Sequence, residues 1–128
     1  MSTTPPRILI IDNDEGMVEA LSIRLESEGY ACLTAQSGSQ GLALFSEVEF
    51  DAVIPDLNMP SGDGVLVTEK IRKVSNVPVV VITGFEASYA DQLADIENVT
   101  LLQKPFDMIT LLDELDIAIT LSPTRMSL

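Results

Sequence analysis

Residues 51–64, Asp51-Ala52-Val53-Ile54-Pro55-Asp56-Leu57-Asn58-Met59-Pro60-Ser61-Gly62-Asp63-Gly64, decide how the rest of the chain is read. The stretch opens on an apolar run without alternation, as a strand covered on both faces should. At Asp56 it turns polar and continues through the residue types that make turns. A doubly covered strand belongs to a mostly parallel sheet, and open α/β sheets bind ligands outside the carboxyl ends of their strands. Asp56 stands at such an end.

Outward from this segment, short apolar runs rich in β-branched residues occupy Arg7–Ile11, Ala31–Ala35, 78–83 and 99–102, with 51–55 the third of five. Helical patterns fill the intervals. Met17, Ala20, Leu21, Ile23 and Leu25 recur at helical spacing, and Gly29 supplies a stop. A second helix is expected over 39–48, a third over 65–74 and a short polar fourth over 86–96. The fifth starts near Asp107 as its N-cap and carries Ile109, Leu111, Leu112, Leu115, Ile117 and Ile119. Strands alternating with helices predict βαβ units and a parallel sheet, and right-handed crossovers then place helices on both faces. One α/β domain is expected over 7–121, with 1–6 a disordered N-terminal segment and 122–128 a tail.

Composition narrows the chemistry. The 128 residues are 46% hydrophobic, enough for one core, and no apolar run approaches the roughly 18 residues of a membrane span. The start, Met1-Ser2-Thr3-Thr4-Pro5-Pro6-Arg7, does not read as a signal peptide. Cys32 is the one cysteine, so neither a disulfide framework nor a zinc cluster can be built, which fits a reducing, cytoplasmic setting. Twenty acidic residues against seven basic ones give a formal charge of -13, and such a chain repels nucleic acid. The absence of His removes imidazole as base or ligand, and with it hydrolase triads and most zinc chemistry.

The strand ends carry what remains. Asp12-Asn13-Asp14-Glu15 follows the first strand, Asp56-Leu57-Asn58 the third, Thr83-Gly84 closes the fourth, and the fifth leads into Lys104-Pro105-Phe106. Asp and Asn oxygens without His or Cys suit a hard cation such as Mg²⁺. A carboxylate beside such an ion, with an ammonium and a hydroxyl nearby, suits phosphoryl transfer. Taken singly, each residue has a plainer reading. Asp56 is a turn residue, Thr83 a strand residue, Lys104 a solvated loop lysine, and Asp12 a cap. Asp14 and Glu15 are expected to do no more than cap the first helix. Met17, Met59, Met108 and Cys32 are expected to pack, Cys32 in the core.

The segments ILIIDND, DAVIPDLNMPSGDG, VVVITG and LLQKPFD, in this order and spacing, resemble the receiver domains of response regulators in two-component signalling. The resemblance runs from Arg7 to about Leu121. It implies a flavodoxin-like doubly wound sheet of five parallel strands in the order 2-1-3-4-5. It implies that Asp56 is the phosphoacceptor and that Asp12 and the residue at position 13 form the metal-binding pair. Asp56 itself and the backbone carbonyl of Asn58 would complete the protein ligands to Mg²⁺. Thr83 would supply the hydroxyl that moves to the phosphoryl oxygen, and Lys104, before a cis Pro105, the cation that bonds it. The donor would be a histidine kinase or phosphotransfer protein. The fourth helix, fifth strand and fifth helix would form the surface read by a protein target. The implied role is that of a switch, not an enzyme beyond its own phosphoryl transfer and autodephosphorylation, acting as a stand-alone receiver or one excised from a larger protein.

Four positions depart from the family pattern. Asn13 replaces an acidic ligand, Leu101 stands where Tyr or Phe is usual, and Phe85 is apolar where a polar residue could orient water. Pro55 precedes the phosphoacceptor in a central strand, so the strand should end early or lose a ladder bond. Two other readings are kept: a degenerate receiver that binds partners without phosphorylation, and a haloacid-dehalogenase-like phosphatase using Asp12 and Asp14. The second lacks an acidic pair after a later strand.

Overall fold

The computed structural model describes residues 4–57, 59, 63–84 and 93–121. Strands β1 (Arg7–Ile11), β2 (Ala31–Ala35), β3 (Ala52–Pro55), β4 (Val79–Thr83) and β5 (Val99–Gln103) form one parallel sheet in the order β2-β1-β3-β4-β5. Helices α1 (Glu15–Ser27), α2 (Gly38–Glu47), α3 (Asp63–Val74) and α4 (Met108–Leu121) connect or follow them. Here α4 is the helix expected fifth from the sequence. Of the polar helix expected over 86–96, residues 86–92 lie outside the described residues, as do Asn58, Phe85 and the tail at 122–128.

Alternate residues of each central strand enter different cores. Leu9, Ile11, Val53, Val79 and Val81 pack with Val65, Val67 and Ile71 of α3 and with Leu42, Leu44 and Phe45 of α2. Ile8, Ile10, Ala52, Ile54, Val80 and Ile82 pack with Val18, Leu21 and Leu25 of α1 and Leu111, Leu115 and Ile119 of α4. Burial on both faces is why β1, β3 and β4 read as unbroken apolar runs. Asp14 caps α1, its carboxylate accepting from the Met17 N–H at 3.2 Å, and Asp107 accepts from the Thr110 N–H at 2.8 Å. Gly29 ends α1 at a φ of 100°, a backbone conformation that side chains disfavour.

The structure corrects one expectation, for Cys32, and sharpens two others. Ile23, Ile109 and Ile117 belong to the helical apolar patterns, yet all three are exposed, because the sheet-facing stripes run through Val18-Leu21-Leu25 and Leu111-Leu115-Ile119. Cys32 is half-buried at the margin of the core, since β2 is an edge strand. Of the two outcomes expected at Pro55, the second holds: β3 runs to Pro55 and loses a ladder bond there. Val53 and Leu57 donate to Pro78 and Ile82 at 3.0 and 2.8 Å, so residue 55 faces β4 where proline has no N–H. The β3–β4 register is accordingly seen at Val53–Val79 and resumes as a bridge between Asp56 and Ile82. Among the described residues, no helix is long and apolar enough to cross a membrane.

Candidate functional site

Because the strands are parallel, their carboxyl ends meet at one rim. Asp12 leaves β1 with its N–H bonded to the Ala35 carbonyl at 3.0 Å, and its Oδ1 accepts from the Asp14 N–H at 3.0 Å. Asp56 leaves β3 with its N–H on the Ile11 carbonyl at 2.9 Å, while the next N–H, of Leu57, reaches Ile82 on β4. Thr83 is the last residue of β4 and is buried; its carbonyl accepts from the Lys104 N–H at 2.7 Å. That bond holds the start of the loop after β5, where the Lys104-Pro105 peptide is cis.

Three of the expected side chains meet. The Lys104 Nζ donates to Asp56 Oδ2 at 2.8 Å, across 48 residues of sequence. Asp12 and Asp56 are each only 3% exposed, and Asp56 lies near enough to help raise the Asp12 carboxyl. Burial is the main reason that Asp12 is raised to about 6; Asp56 adds to it, and the Asp14 N–H and Lys104 oppose it. Two neighbouring carboxyls, both shielded from water, favour a proton or a cation beside them.

Asn13 is exposed beside Asp12, and Asn58 lies outside the described residues. Among the described residues no three Asp, Glu, His or Cys side chains gather to hold a metal; the acidic group is the pair Asp12 and Asp56. Asp14 is occupied as the cap of α1, and Glu15 stands in its first turn. Beside the rim, Met17, Leu21, Arg24, Lys104, Phe106 and Met108 line a groove of about 750 Å³ between α1 and the β5–α4 loop.

Sequence reasoning did not single out Gly64. This residue of α3 lies against the backbone of Asp56 and Leu57. The sequence offered little signal, since the expected helix began at 65 and left Gly64 in the preceding turn, whereas the structure places it inside α3, where a glycine weakens the helix and asks for a packing reason.

A family profile described as the response regulator receiver domain matches residues 8–116. The transcriptional regulatory protein GlrR of Escherichia coli (strain K12) is 36% identical over 122 residues, covering 93% of this chain and 27% of that protein. The transcriptional regulatory protein PrrA of Mycobacterium tuberculosis is 36% identical over 95 residues, covering 73% of this chain and 40% of PrrA. The chain therefore spans 27% and 40% of the lengths of these two relatives. A receiver domain from Clostridium thermocellum superposes with a TM-score of 0.81 at 30% identity, covering 90% of this chain and 94% of that one. A CheY-like receiver from Methanospirillum hungatei JF-1 reaches a TM-score of 0.84 at 24% identity, covering 91% and 94%, a likeness of fold.

Proposed function

This chain belongs to the response regulator receiver family, and from that premise we propose that its Asp56 accepts a phosphoryl group and so switches a protein-binding surface. The observation that carries the reading is Lys104 Nζ at 2.8 Å from a buried Asp56 carboxylate, with the buried Asp12 beside it. In the transfer, an Asp56 oxygen attacks phosphorus and the bond from phosphorus to the donor's nitrogen or oxygen breaks, the leaving group keeping the electron pair. Lys104 neutralises charge on the oxygens of the transferred group, and Thr83 offers a hydroxyl from the adjacent strand end. Backbone bonds on both neighbouring strands hold the nucleophile in place, which lowers the entropic part of the barrier.

The residues present fit Mg²⁺. The donor set is oxygen alone, and two neighbouring buried carboxyls leave negative charge that one lysine does not balance. Asp12 and Asp56 would hold the ion, with Asn13 and the Asn58 carbonyl as the further ligands the family pattern supplies. When bound it neutralises the carboxylate pair and the phosphoryl oxygens.

The apolar groove between α1 and the β5–α4 loop opens beside Lys104 and suits the approach of a histidine kinase or phosphotransfer protein as donor. On another side, Leu101 of β5 is 41% exposed, and Ile109, Ile117 and Leu121 of α4 are exposed with it. This surface transmits the phosphorylated state to a protein target or an attached output region. The -13 charge argues against direct contact of this segment with nucleic acid.

Incubation with acetyl phosphate and Mg²⁺, followed by intact-mass measurement, tests the assignment. One phosphoryl group should be added, and Asp56→Asn should take up none. Full uptake by Asp56→Asn would move the acceptor to Asp12 or elsewhere. A second reading, a receiver that binds partners without phosphorylation, is favoured by the uncharged, exposed Asn13. Titration with Mg²⁺ separates the two, since a degenerate site would show no saturable binding.

A further inference from the structure

The backbone of the phosphoacceptor is held from two directions. On the sheet side, the N–H groups of Asp56 and Leu57 are bonded to β1 and β4 at 2.9 and 2.8 Å. On the other side lies the first turn of α3. A Cβ added at Gly64 would sit 2.7 Å from the Asp56 carbonyl oxygen, 2.8 Å from the Leu57 Cα and 2.9 Å from Leu57 Cδ2. Two of these three atoms are backbone and cannot swing aside. Gly41 of α2 makes the useful contrast, because an added Cβ there would meet only side-chain carbons of Ile11 and no backbone atom.

Glycine is the poorest helix former after proline, so helix stability does not account for its place in α3. The close approach does. One turn further on, Thr68 is fully buried, and its Oγ1 donates to the Gly64 carbonyl at 2.8 Å. A buried hydroxyl that bonds back to the preceding turn fixes that turn's position and tends to bend the helix. The Asp56–Leu57 peptide is thus clamped between a pair of ladder bonds and a helix turn that is itself tied down.

We propose that Gly64, backed by Thr68, is a positioning residue for phosphoryl acceptance: it sets the depth at which the Asp56 carboxylate meets Lys104 and Asp12. The inference rests on Asp56 being the phosphoacceptor. Gly64→Ala pushes the Asp56–Leu57 peptide out of line through the Asp56 carbonyl while leaving every side chain of the site unchanged.

The test is the initial rate of phosphoryl uptake from acetyl phosphate with Mg²⁺, measured on protein shown to be folded by circular dichroism. Gly64→Ala should lower the maximal rate roughly tenfold, the scale of a sub-ångström misplacement, with the half-saturating donor concentration unchanged. Ile71→Val trims a fully buried residue at the other end of the same helix and serves as the stability control; it should keep the wild-type rate. Thr68→Val preserves shape while removing the hydroxyl and should slow uptake roughly two- to threefold. It decides the matter if Gly64→Ala does not fold. Wild-type rates in folded Gly64→Ala overturn the proposal, as does a wild-type rate in Thr68→Val where Gly64→Ala is unfolded. Equal slowing in Ile71→Val also overturns it, since the loss would then follow stability. If the wild-type protein takes up no phosphoryl group, the phosphoacceptor reading falls first and this inference with it.

Discussion

The two ends of the sheet handle polar groups in opposite ways. At the amino ends of the strands the charged side chains of Arg7 and Arg72 close loops through backbone carbonyls. The Arg7 N–H donates to Asp51 Oδ2 at 2.8 Å, and the Arg7 guanidinium reaches the Glu49 carbonyl at 3.0 Å. Arg72 donates to the Ser75 and Asn98 carbonyls at 2.8 and 3.1 Å, and Asn98, at a φ of 59°, bonds back to Asn76. At the carboxyl ends, two carboxyl groups are buried against each other with Lys104 beside one of them. Hydrogen bonds between charged side chains and the backbone at one rim stabilise the fold, whereas a buried pair of carboxyls at the other costs stability despite Lys104. The difference marks the rim where chemistry, not architecture, dictates the residues.

Four predictions break or sharpen this contrast. The largest effect is expected at Lys104. Lys104→Ala should slow phosphoryl uptake from acetyl phosphate roughly 10²–10³-fold, the usual cost of removing one charge-stabilising donor. Initial rates within threefold of wild type would erase the functional distinction between the rims.

Next is Asp12. Its carboxyl, raised from 3.8 to about 6, binds its proton more tightly in the folded protein than in the unfolded chain. In metal-free buffer this group's contribution to stability therefore falls as pH rises from about 4 to about 6, then levels off. Asp12→Asn should remove that slope and raise stability at pH 7 by about 2–3 kcal/mol in denaturant titrations. An unaltered slope in the variant would assign the pH dependence to other groups.

At the opposite rim the sign reverses. Arg72→Met keeps the aliphatic stem but loses the bonds to Ser75 and Asn98, and should cost about 1–2 kcal/mol of stability. The rate of uptake in the folded variant should stay at the wild-type value. A slowed rate would mean that the two rims are coupled.

The smallest effect is expected at Asn13. An exposed carboxylate near a cation is worth about 0.2–1 kcal/mol, so Asn13→Asp should tighten Mg²⁺ binding roughly 1.5- to 5-fold by calorimetric titration. Unchanged affinity would show that residue 13 does not face the ion.

Much of this was legible before any coordinates. β1 and β2 have their expected bounds, and β3, β4 and β5 differ by one residue at one end, because strands in or beside a doubly covered sheet stand out as apolar runs between turn residues. Asp14 and Asp107 announced helix starts through local capping chemistry. The sequence placed Asp12, Asp56, Thr83 and Lys104 at strand ends, and their residue types alone pointed to a hard cation and a phosphoryl group. It left open which stripe of α1 and α4 faces the sheet, since an apolar residue at helical spacing declares a helix but not its buried side; Ile23, Ile109 and Ile117 turn out exposed.

Other features exist only once the chain is folded. The 48-residue span between Asp56 and Lys104 closes to 2.8 Å because β4 lies between β3 and β5, a matter of strand order that no local pattern encodes. The raised Asp12 depends on burial against Asp56, and burial is a property of packing, not of sequence. Gly64 looked like an ordinary turn-adjacent glycine until α3 came to rest on the Asp56 backbone. Periodicity and capping act over a few residues, so the sequence by itself determined the elements and the chemistry at their ends. Depth, contact and charge balance arise between segments far apart in the chain, and these only the tertiary structure decided.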